Sequence, residues 1–177
     1  MIYLTYLNGY APRWADPFVE GVADAVPCPI ETRAIELDLE SCYALDRNQY
    51  HATLLLASLL RHLPNPSAKI LGVTPVDLFV PVLTFVFGQS QLDGPGAIVS
   101  TYRLHNEFYG LRPNEGLLVE RAIKEAVHEL GHAFGLLHCS NYQCVMHAST
   151  HVEEVDIKQS AFCDACRPVL AGVNIAW

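Results

Sequence analysis

Three histidines and one glutamate lie close together in the segment His128-Glu129-Leu-Gly-His132-Ala-Phe-Gly135-Leu-Leu-His138. Residues four positions apart share one face of a helix, with Cβ atoms about 5–6 Å apart. The imidazoles of His128 and His132 can therefore reach one ion at about 2.0–2.1 Å. Glu129 is rotated by about 100° from His128 around the helix axis, which puts it beside that ion rather than among its ligands. Gly135 can end the helix and let the chain turn back, so that His138 approaches the same ion.

The chemistry that this arrangement predicts is hydrolysis. Three neutral imidazoles and one water form an open tetrahedral zinc site, which lowers the pKa of the water to about 7 and can polarise a carbonyl. Glu129 is then placed to act as the general base that removes a proton from the zinc-activated water. Three imidazoles also bind cobalt, nickel or iron, so the ligands alone leave the metal at this site open.

Four cysteines follow the third histidine and predict a second metal site. They form a short pair and, after a longer loop, a C-x-x-C pair: Cys139, Cys144, Cys163 and Cys166. Such spacing is typical of a closed zinc site with four thiolate ligands, which has no position for water and is structural. Neighbouring side chains on an extended backbone point to opposite sides. His138 can therefore face the first ion while Cys139 faces the second, which would hold His138 in position.

Two other states of these cysteines remain open at this point. They could form two disulfides, which a reducing compartment disfavours, or they could be unpaired thiols. Cys28 and Cys42 lie outside the pattern. We expect both to be buried thiols, although the sequence alone does not exclude a bridge between them.

The joined pattern resembles the archaemetzincin family of metzincin zinc metalloproteases. The resemblance rests on HELGHAFGLLHC at residues 128–139, Cys144-Val-Met146 and Cys163-Asp-Ala-Cys166, which together lie in about the last third of the chain. It implies a zinc metallopeptidase with two Zn²⁺ per chain. The implied ligands of the catalytic ion are His128, His132 and His138, and those of the structural ion are Cys139, Cys144, Cys163 and Cys166. Glu129 would be the catalytic base, and Met146 would be the methionine of the Met-turn beneath the catalytic ion.

The resemblance also implies how a substrate binds. In metzincins the strand before the active-site helix forms the upper rim of the cleft and pairs with an extended peptide. Residues 97–103 would fill that role here, unless they form an ordinary interior strand or a different edge. An alternative function is a zinc- and peptide-binding module that does not cleave its ligand. The presence of Glu129 argues against that alternative, because binding alone needs no base.

The composition excludes several other classes of protein. The 177 residues are 51% apolar and 17% charged, which is enough to bury the core of one ordinary domain. Eleven Lys and Arg against nineteen Asp and Glu give a net charge of −8, which opposes nucleic-acid binding and docking to an anionic membrane. No apolar run reaches the length of a membrane span, and residues 1–10 do not have the pattern of a signal peptide. We therefore expect a cytoplasmic monomer whose partner is an extended peptide or protein substrate.

A coarse reading of the elements supports an α/β (α+β) metzincin-like fold. Strands are predicted at 2–7, 34–39, 69–71, 78–89 and 97–104, and helices at 16–25 and from Asp46 to about Leu63. A long helix is predicted from Pro113-Asn114 to about Leu136. It has one apolar face, formed by Val119, Ala122, Ile123, Ala126, Leu130, Ala133 and Leu137.

These elements predict a single catalytic domain made of two parts. Residues 1–137 would form an upper N-terminal subdomain, in which a mixed twisted sheet packs against helices that include the long active-site helix. Residues 138–177 would form a small, irregular lower subdomain stapled by zinc.

Overall fold

Residues 1–172 are described by the structure, which is a computed structural model. The strands of this part of the chain are β1 (Ile2–Leu7), β2 (Ile30–Ile35), β3 (Tyr43–Ala44), β4 (Gln49–His51), β5 (Lys69–Thr74), β6 (Leu78–Phe79), β7 (Gly88–Ser90) and β8 (Gly96–Ser100). Its α-helices are α1 (Ala15–Ala25), α2 (Ala52–Leu60), α3 (Glu115–Ala133), α4 (Val152–Ile157) and α5 (Arg167–Gly172). None of the described helices is long and apolar enough to cross a membrane.

A mixed sheet of five strands forms the centre of the fold, in the order β2-β1-β5-β8-β7. Its first four strands run parallel, and β7 pairs antiparallel with β8. Strands β3, β4 and β6 form a second, smaller sheet. A mixed sheet with helices packed against it is the α/β fold class that the sequence predicts.

The two faces of the large sheet carry separate hydrophobic cores. Alternate side chains of a strand point to opposite faces. Leu71 and Val73 of β5 therefore join the core formed with α1 and α3, whereas Ile70 joins the core formed with α2. Gly72 lies in the same strand, where a Cβ atom would come within 2.7 Å of Leu59 on α2. This close approach brings α2 directly onto the sheet.

Specific contacts fix both ends of α3, the helix that carries the histidines. At its start, the side chain of Asn114 accepts a hydrogen bond from the backbone N–H of Leu117 at 3.1 Å. At its end, Gly135 takes a φ of 92°, and the N–H of Leu136 donates to the carbonyl of Gly131 at 2.9 Å. This is a Schellman motif, which requires the left-handed conformation that glycine tolerates. The ammonium group of Lys69 also donates to the carbonyl of Ala133 at 2.8 Å.

Several predicted boundaries are wrong, and most of the errors involve short strands. The strand expected at 34–39 is β2, at Ile30–Ile35. The helix expected from Asp46 begins at Ala52, because β4 takes up residues 49–51. The strand expected at 78–89 is two short strands separated by a loop. Leu137, expected on the apolar face of the long helix, lies beyond its end and is 68% exposed.

The expected position of the cleft rim is also wrong. Residues 97–103 include most of β8, which lies inside the sheet between β5 and β7. The edge strand next to the active-site helix is β7, which comes earlier in the chain. Sequence order cannot reveal this, because β7 has only three residues and reaches the edge by pairing antiparallel with the strand that follows it.

The chain after α3 contains little regular structure. Residues 138–172 include only the short helices α4 and α5, and the end of the predicted lower subdomain, residues 173–177, lies outside the described residues. This segment still has a buried interior, because Cys144, Val145, Met146, Val152, Val155 and Phe162 join the core beneath α3. It packs onto the helix that carries the histidines.

Candidate metal centres and active-site cleft

The three predicted histidines come together in the structure. One ring nitrogen from each of His128, His132 and His138 lies within 4.8 Å of those of the others. The first two occupy adjacent turns at the C-terminal end of α3, and the Schellman motif turns the chain so that the ring of His138 lies 4.8 Å from that of His132. His128 is buried, His132 is half-buried and His138 is exposed, so the group opens to solvent on one side.

Hydrogen bonds to the backbone orient the two helical imidazoles. Nδ1–H of His128 donates to the carbonyl of Val145 at 2.8 Å, and Nδ1–H of His132 donates to the carbonyl of Leu136 at 2.7 Å. In this tautomer both Nε2 atoms are unprotonated. They lie 3.1 Å apart. Two tetrahedral ligands bound at about 2.0–2.1 Å have roughly this separation, so the pair fits one zinc ion.

Burial keeps these imidazoles in the form that binds metal. It lowers the pKa of His128 well below its usual value, and the buried ammonium of Lys158 acts in the same direction. Burial also lowers the pKa of His132 and of His138. Uncharged imidazole is the form that donates to a metal ion, so the site is ready to bind one at neutral pH.

Glu129 lies in the same cleft but outside the group of converging nitrogens. Its carboxylate oxygen Oε2 accepts a hydrogen bond from the hydroxyl of Ser90 on β7 at 2.7 Å. Burial raises the pKa of Glu129 to about 8, while the hydrogen bond from Ser90 acts in the opposite direction. The charge of a bound cation would also lower this pKa, toward the range suited to a group that takes up and releases protons near pH 7.

The four predicted cysteines form a second group, separate from the histidines. The Sγ atoms of Cys139, Cys144, Cys163 and Cys166 all lie within 4.8 Å of one another. The Sγ atoms of Cys139 and Cys163 are 3.8 Å apart, as are those of Cys144 and Cys166. This is the separation of two thiolates bound to one zinc at about 2.3 Å in tetrahedral geometry. It is far longer than a disulfide bond, and all six cysteines of the chain are free.

Backbone groups support charge on the sulfur atoms. The N–H of Asn141 donates to Sγ of Cys139, and the N–H of Cys163 donates to Sγ of Cys144, both at 3.4 Å. Backbone hydrogen bonding, chiefly from Cys166, lowers the pKa of Cys163 to about 7. These contacts favour the thiolate form at Cys163. Burial raises the pKa of Cys144 and of Cys166, so a bound cation would have to stabilise the thiolate form of those two residues. Cys28 and Cys42 lie in the two different hydrophobic cores, so they do not bridge.

The two groups meet at one peptide bond. His138 belongs to the imidazole group, and Cys139, the next residue, belongs to the sulfur group. The backbone N–H of Cys139 donates to the carbonyl of Met146 at 2.9 Å, which ties this dipeptide to the chain beneath α3. Met146 itself is fully buried and lies against Gly131 of α3. Gly131 stands between His128 and His132 in the sequence.

A cleft of about 590 Å³ opens beside the histidines. It is lined by His128, Glu129 and His132 of α3 and by residues 83–90, which end in β7. His138 and residues 148–150, just after Met146, also line it. Its lining also includes the exposed apolar residues Leu83, Leu92 and Leu137.

Comparison with known proteins identifies the family. The model of Peptidase family M54 matches residues 34–171. The chain belongs to this family. The M54 chain is 46% identical over 124 residues to the archaemetzincin of Methanocaldococcus jannaschii, a match that covers 70% of this chain and 67% of that protein. It is 36% identical over 178 residues to the archaemetzincin of Thermococcus kodakarensis, which covers 94% of each.

The solved structures agree with this assignment. The crystal structure of the archaemetzincin from Methanopyrus kandleri superimposes with a TM-score of 0.84 at 37% identity, and the match covers 96% of this chain and 92% of that one. The predicted metzincin-like fold class and the predicted archaemetzincin family are therefore confirmed. Membership of this family makes the M54 chain a zinc metallopeptidase, which acts on peptides.

Sequence reasoning missed two residues of this M54 peptidase that touch Glu129. These are Ser90, which donates to its carboxylate, and Gly88, where a Cβ atom would lie 2.6 Å from its Cγ. The available signal was the small-residue stretch Gly88-Gln89-Ser90, because a glycine within a strand often marks a close approach. The sequence pattern instead predicts that Gly88 and Gln89 end one long strand at 78–89, and it gives neither them nor Ser90 a role at the site.

Proposed function

We propose that this peptidase hydrolyses peptide bonds with Glu129 as general base and one Zn²⁺ held by His128, His132 and His138. The observation that carries the proposal is the position of Glu129, whose carboxylate lines the same cleft as the imidazoles without belonging to their converging group. When bound, zinc supplies Lewis acidity, which makes water more acidic and polarises a carbonyl group.

The residues of the chain then perform the proton transfers. Oε2 of Glu129 is held by Ser90, so Oε1 is the atom that takes the proton from the attacking water. The same oxygen returns the proton to the leaving amine nitrogen when the peptide bond breaks. The buried surroundings that raise the pKa of Glu129 help it to hold the proton between these two steps.

The substrate is proposed to bind as an extended peptide along β7. This strand lies at the edge of the sheet and lines the cleft through Gly88, Gln89 and Ser90. A peptide that adds to this edge forms main-chain hydrogen bonds, which hold it whatever its sequence. The expected rim strand, residues 97–103, cannot serve, because both sides of β8 are already paired.

A second zinc is proposed at Cys139, Cys144, Cys163 and Cys166, which gives two ions per chain. Four thiolates leave no open position, so this ion is structural. It would join the cysteine-bearing segment, residues 139–166, to the rest of the domain and hold His138 through its neighbour Cys139. The separations of the sulfur atoms and the short amide contacts to them support this assignment.

The test is cleavage of a diverse peptide library by protein loaded with zinc. We expect wild-type protein to cleave some members, and Glu129→Gln to lose roughly 10²–10⁴-fold in kcat, which is the usual contribution of a general base. Elemental analysis should find the same zinc content in both proteins. Full activity of Glu129→Gln would refute the role of the base. Tight binding of extended peptides by wild-type protein without any turnover would favour the non-proteolytic module.

A further inference from the structure

Strand β7 presents its two smallest residues to the proposed base. Successive side chains of a strand alternate between its two faces. Gly88 and Ser90 therefore face α3, where both contact Glu129. Gln89, between them, points the other way and bonds to the hydroxyl of Thr53 on α2 at 2.9 Å.

The contact between Ser90 and Glu129 is a directional one. The serine hydroxyl has a single proton to donate, and it donates to Oε2 at 2.7 Å. A hydrogen bond to a charged oxygen is shorter and stronger than one between neutral groups. The hydrogen bond from Ser90 to Oε2 therefore favours one orientation of the carboxylate, in which Oε1 is the oxygen that does not accept from Ser90.

Gly88 limits the position of the same glutamate side chain. A Cβ atom at this position would lie 2.6 Å from Cγ of Glu129 and 2.8 Å from its Oε1, and also 2.7 Å from the backbone oxygen of Ile98. Only glycine leaves this space to the glutamate. The aliphatic part of Glu129 therefore lies directly on the backbone of β7, and its carboxylate accepts the hydrogen bond from Ser90.

We propose that Ser90 is a positioning residue that sets the reactive orientation of Glu129, an inference that rests on the proposed function of Glu129 as base. A free glutamate side chain populates several rotamers, and fixing it in one of them costs conformational entropy. A side chain that the folded protein already holds in its reactive rotamer does not add this cost to the barrier of the reaction. Small misplacements of a catalytic group lower rates steeply. Since β7 is also the proposed docking edge of the substrate, one strand positions both the peptide and the base.

The first experiment compares kcat and KM for Ser90→Ala, Ser90→Thr and Thr53→Val on a peptide that wild-type protein cleaves. Loss of a hydrogen bond to a charged group predicts a fall in kcat of roughly 10- to 100-fold for Ser90→Ala, with little change in KM. Ser90→Thr keeps the hydroxyl and should retain most of the rate. Thr53→Val removes a hydrogen bond from the opposite face of the same strand and should leave kcat unchanged.

A double-mutant cycle separates positioning from a general structural effect. If Ser90 acts through Glu129, Ser90→Ala should add no further loss to Glu129→Ala. An equal fold-loss in both backgrounds, or a wild-type kcat for Ser90→Ala, would overturn the proposal. Thermal unfolding of each variant identifies any that do not fold. If Ser90→Ala does not fold, Ser90→Gly replaces it in the cycle, because it also lacks the hydroxyl.

A structural measurement tests the inference without any turnover. Crystal structures of zinc-loaded wild type and Ser90→Ala should show a single position of the Glu129 carboxylate in the first and a shifted or divided position in the second. An unchanged single position in Ser90→Ala refutes positioning by Ser90. If wild-type protein cleaves no peptide, the proposed function fails, but this comparison still decides whether Ser90 positions Glu129.

Discussion

Gly131 in the histidine segment has a packing role that its sequence position does not reveal. A Cβ atom on Gly131 would collide with Sδ of Met146 and lie 3.1 Å from Cε of the same side chain. It would also lie 3.1 Å from Cε1 of Phe162, and both neighbours are buried. The sequence identified Met146 as a residue beneath the site, whereas its partner on the helix emerges only from the packing.

Two glycine-to-alanine changes in the same helix are therefore expected to have opposite effects. Gly131→Ala overpacks the core and should lower the free energy of unfolding by about 1–3 kcal/mol. Gly116→Ala lies in the exposed first turn of α3, where the nearest atom to a new Cβ is Oδ1 of Asn114 at 3.7 Å. There alanine should stabilise the protein by about 0.5–1 kcal/mol through its higher helix propensity.

Urea denaturation at a fixed concentration of free zinc measures both changes. Stabilisation of the protein by Gly131→Ala would show that Met146 yields easily and that the contact with Gly131 is not tight. A loss of stability in Gly116→Ala would show that the helix start depends on something other than propensity and its Asn114 cap.

Among the elements, α3 could be predicted closely, and the short strands could not. Its apolar period, the Asn114 cap and Gly135 all act within one or two turns of chain, so the local sequence determines them. β7 has three residues with no pattern of their own, and its place at the edge depends on pairing with β8. The histidine and cysteine groups were predicted by spacing, whereas the contacts of Glu129 to β7 come from distant chain and were not.

The segment that carries the cysteines is expected to depend on its own ion and to support the other. Wild-type protein should contain about two zinc ions per chain. Cys163→Ala removes one of four thiolates, so the structural ion should be lost. Because His138 is exposed and is joined to Cys139, occupancy of the imidazole site should fall as well.

Elemental analysis after dialysis at a fixed concentration of free zinc tests this coupling. Cys28→Ala is the matched control, because Cys28 is a buried thiol in the hydrophobic core and lies outside both groups. It should retain about two ions. Loss of only one ion from Cys163→Ala, with unchanged affinity at the remaining site, would show that the sulfur group does not hold His138 in place.

At the scale of the whole molecule, two ion pairs among the described residues join α3 to residues 156–158, at the end of α4. Nζ of Lys158 lies 2.8 Å from Oε1 of Glu125, and the side chains are 0% and 4% exposed. Nε of Arg121 lies 2.7 Å from Oδ1 of Asp156, whose side chain is 34% exposed. The α3 members of these pairs are Arg121 and Glu125, which precede the histidines in the helix. The pairs therefore hold the segment around α4 against the part of α3 that leads into the site. Sequence alone gave no sign of this docking, because each pair spans more than thirty residues.

The pair between Lys158 and Glu125 should matter most for stability. Lys158→Met leaves the carboxylate of Glu125 buried without its partner, which typically lowers the free energy of unfolding by about 3–5 kcal/mol. The double variant Lys158→Met with Glu125→Met removes both charges and should recover most of that loss, since a buried pair replaced by apolar side chains is often neutral. Arg33→Met is the control: it breaks a pair of 2.7 Å between half-exposed side chains and should cost less than about 1 kcal/mol.

Urea denaturation at fixed free zinc again provides the measurement, and the pattern among the three proteins carries the argument. A large loss in Lys158→Met that the double variant reverses would show that the cost arises from an unpaired buried charge. If the double variant is as unstable as Lys158→Met, the pair itself contributes the stability, and docking of the α4 segment depends on its attraction. A loss in Lys158→Met no larger than that in Arg33→Met would mean that water reaches Glu125 and that this segment separates readily from α3.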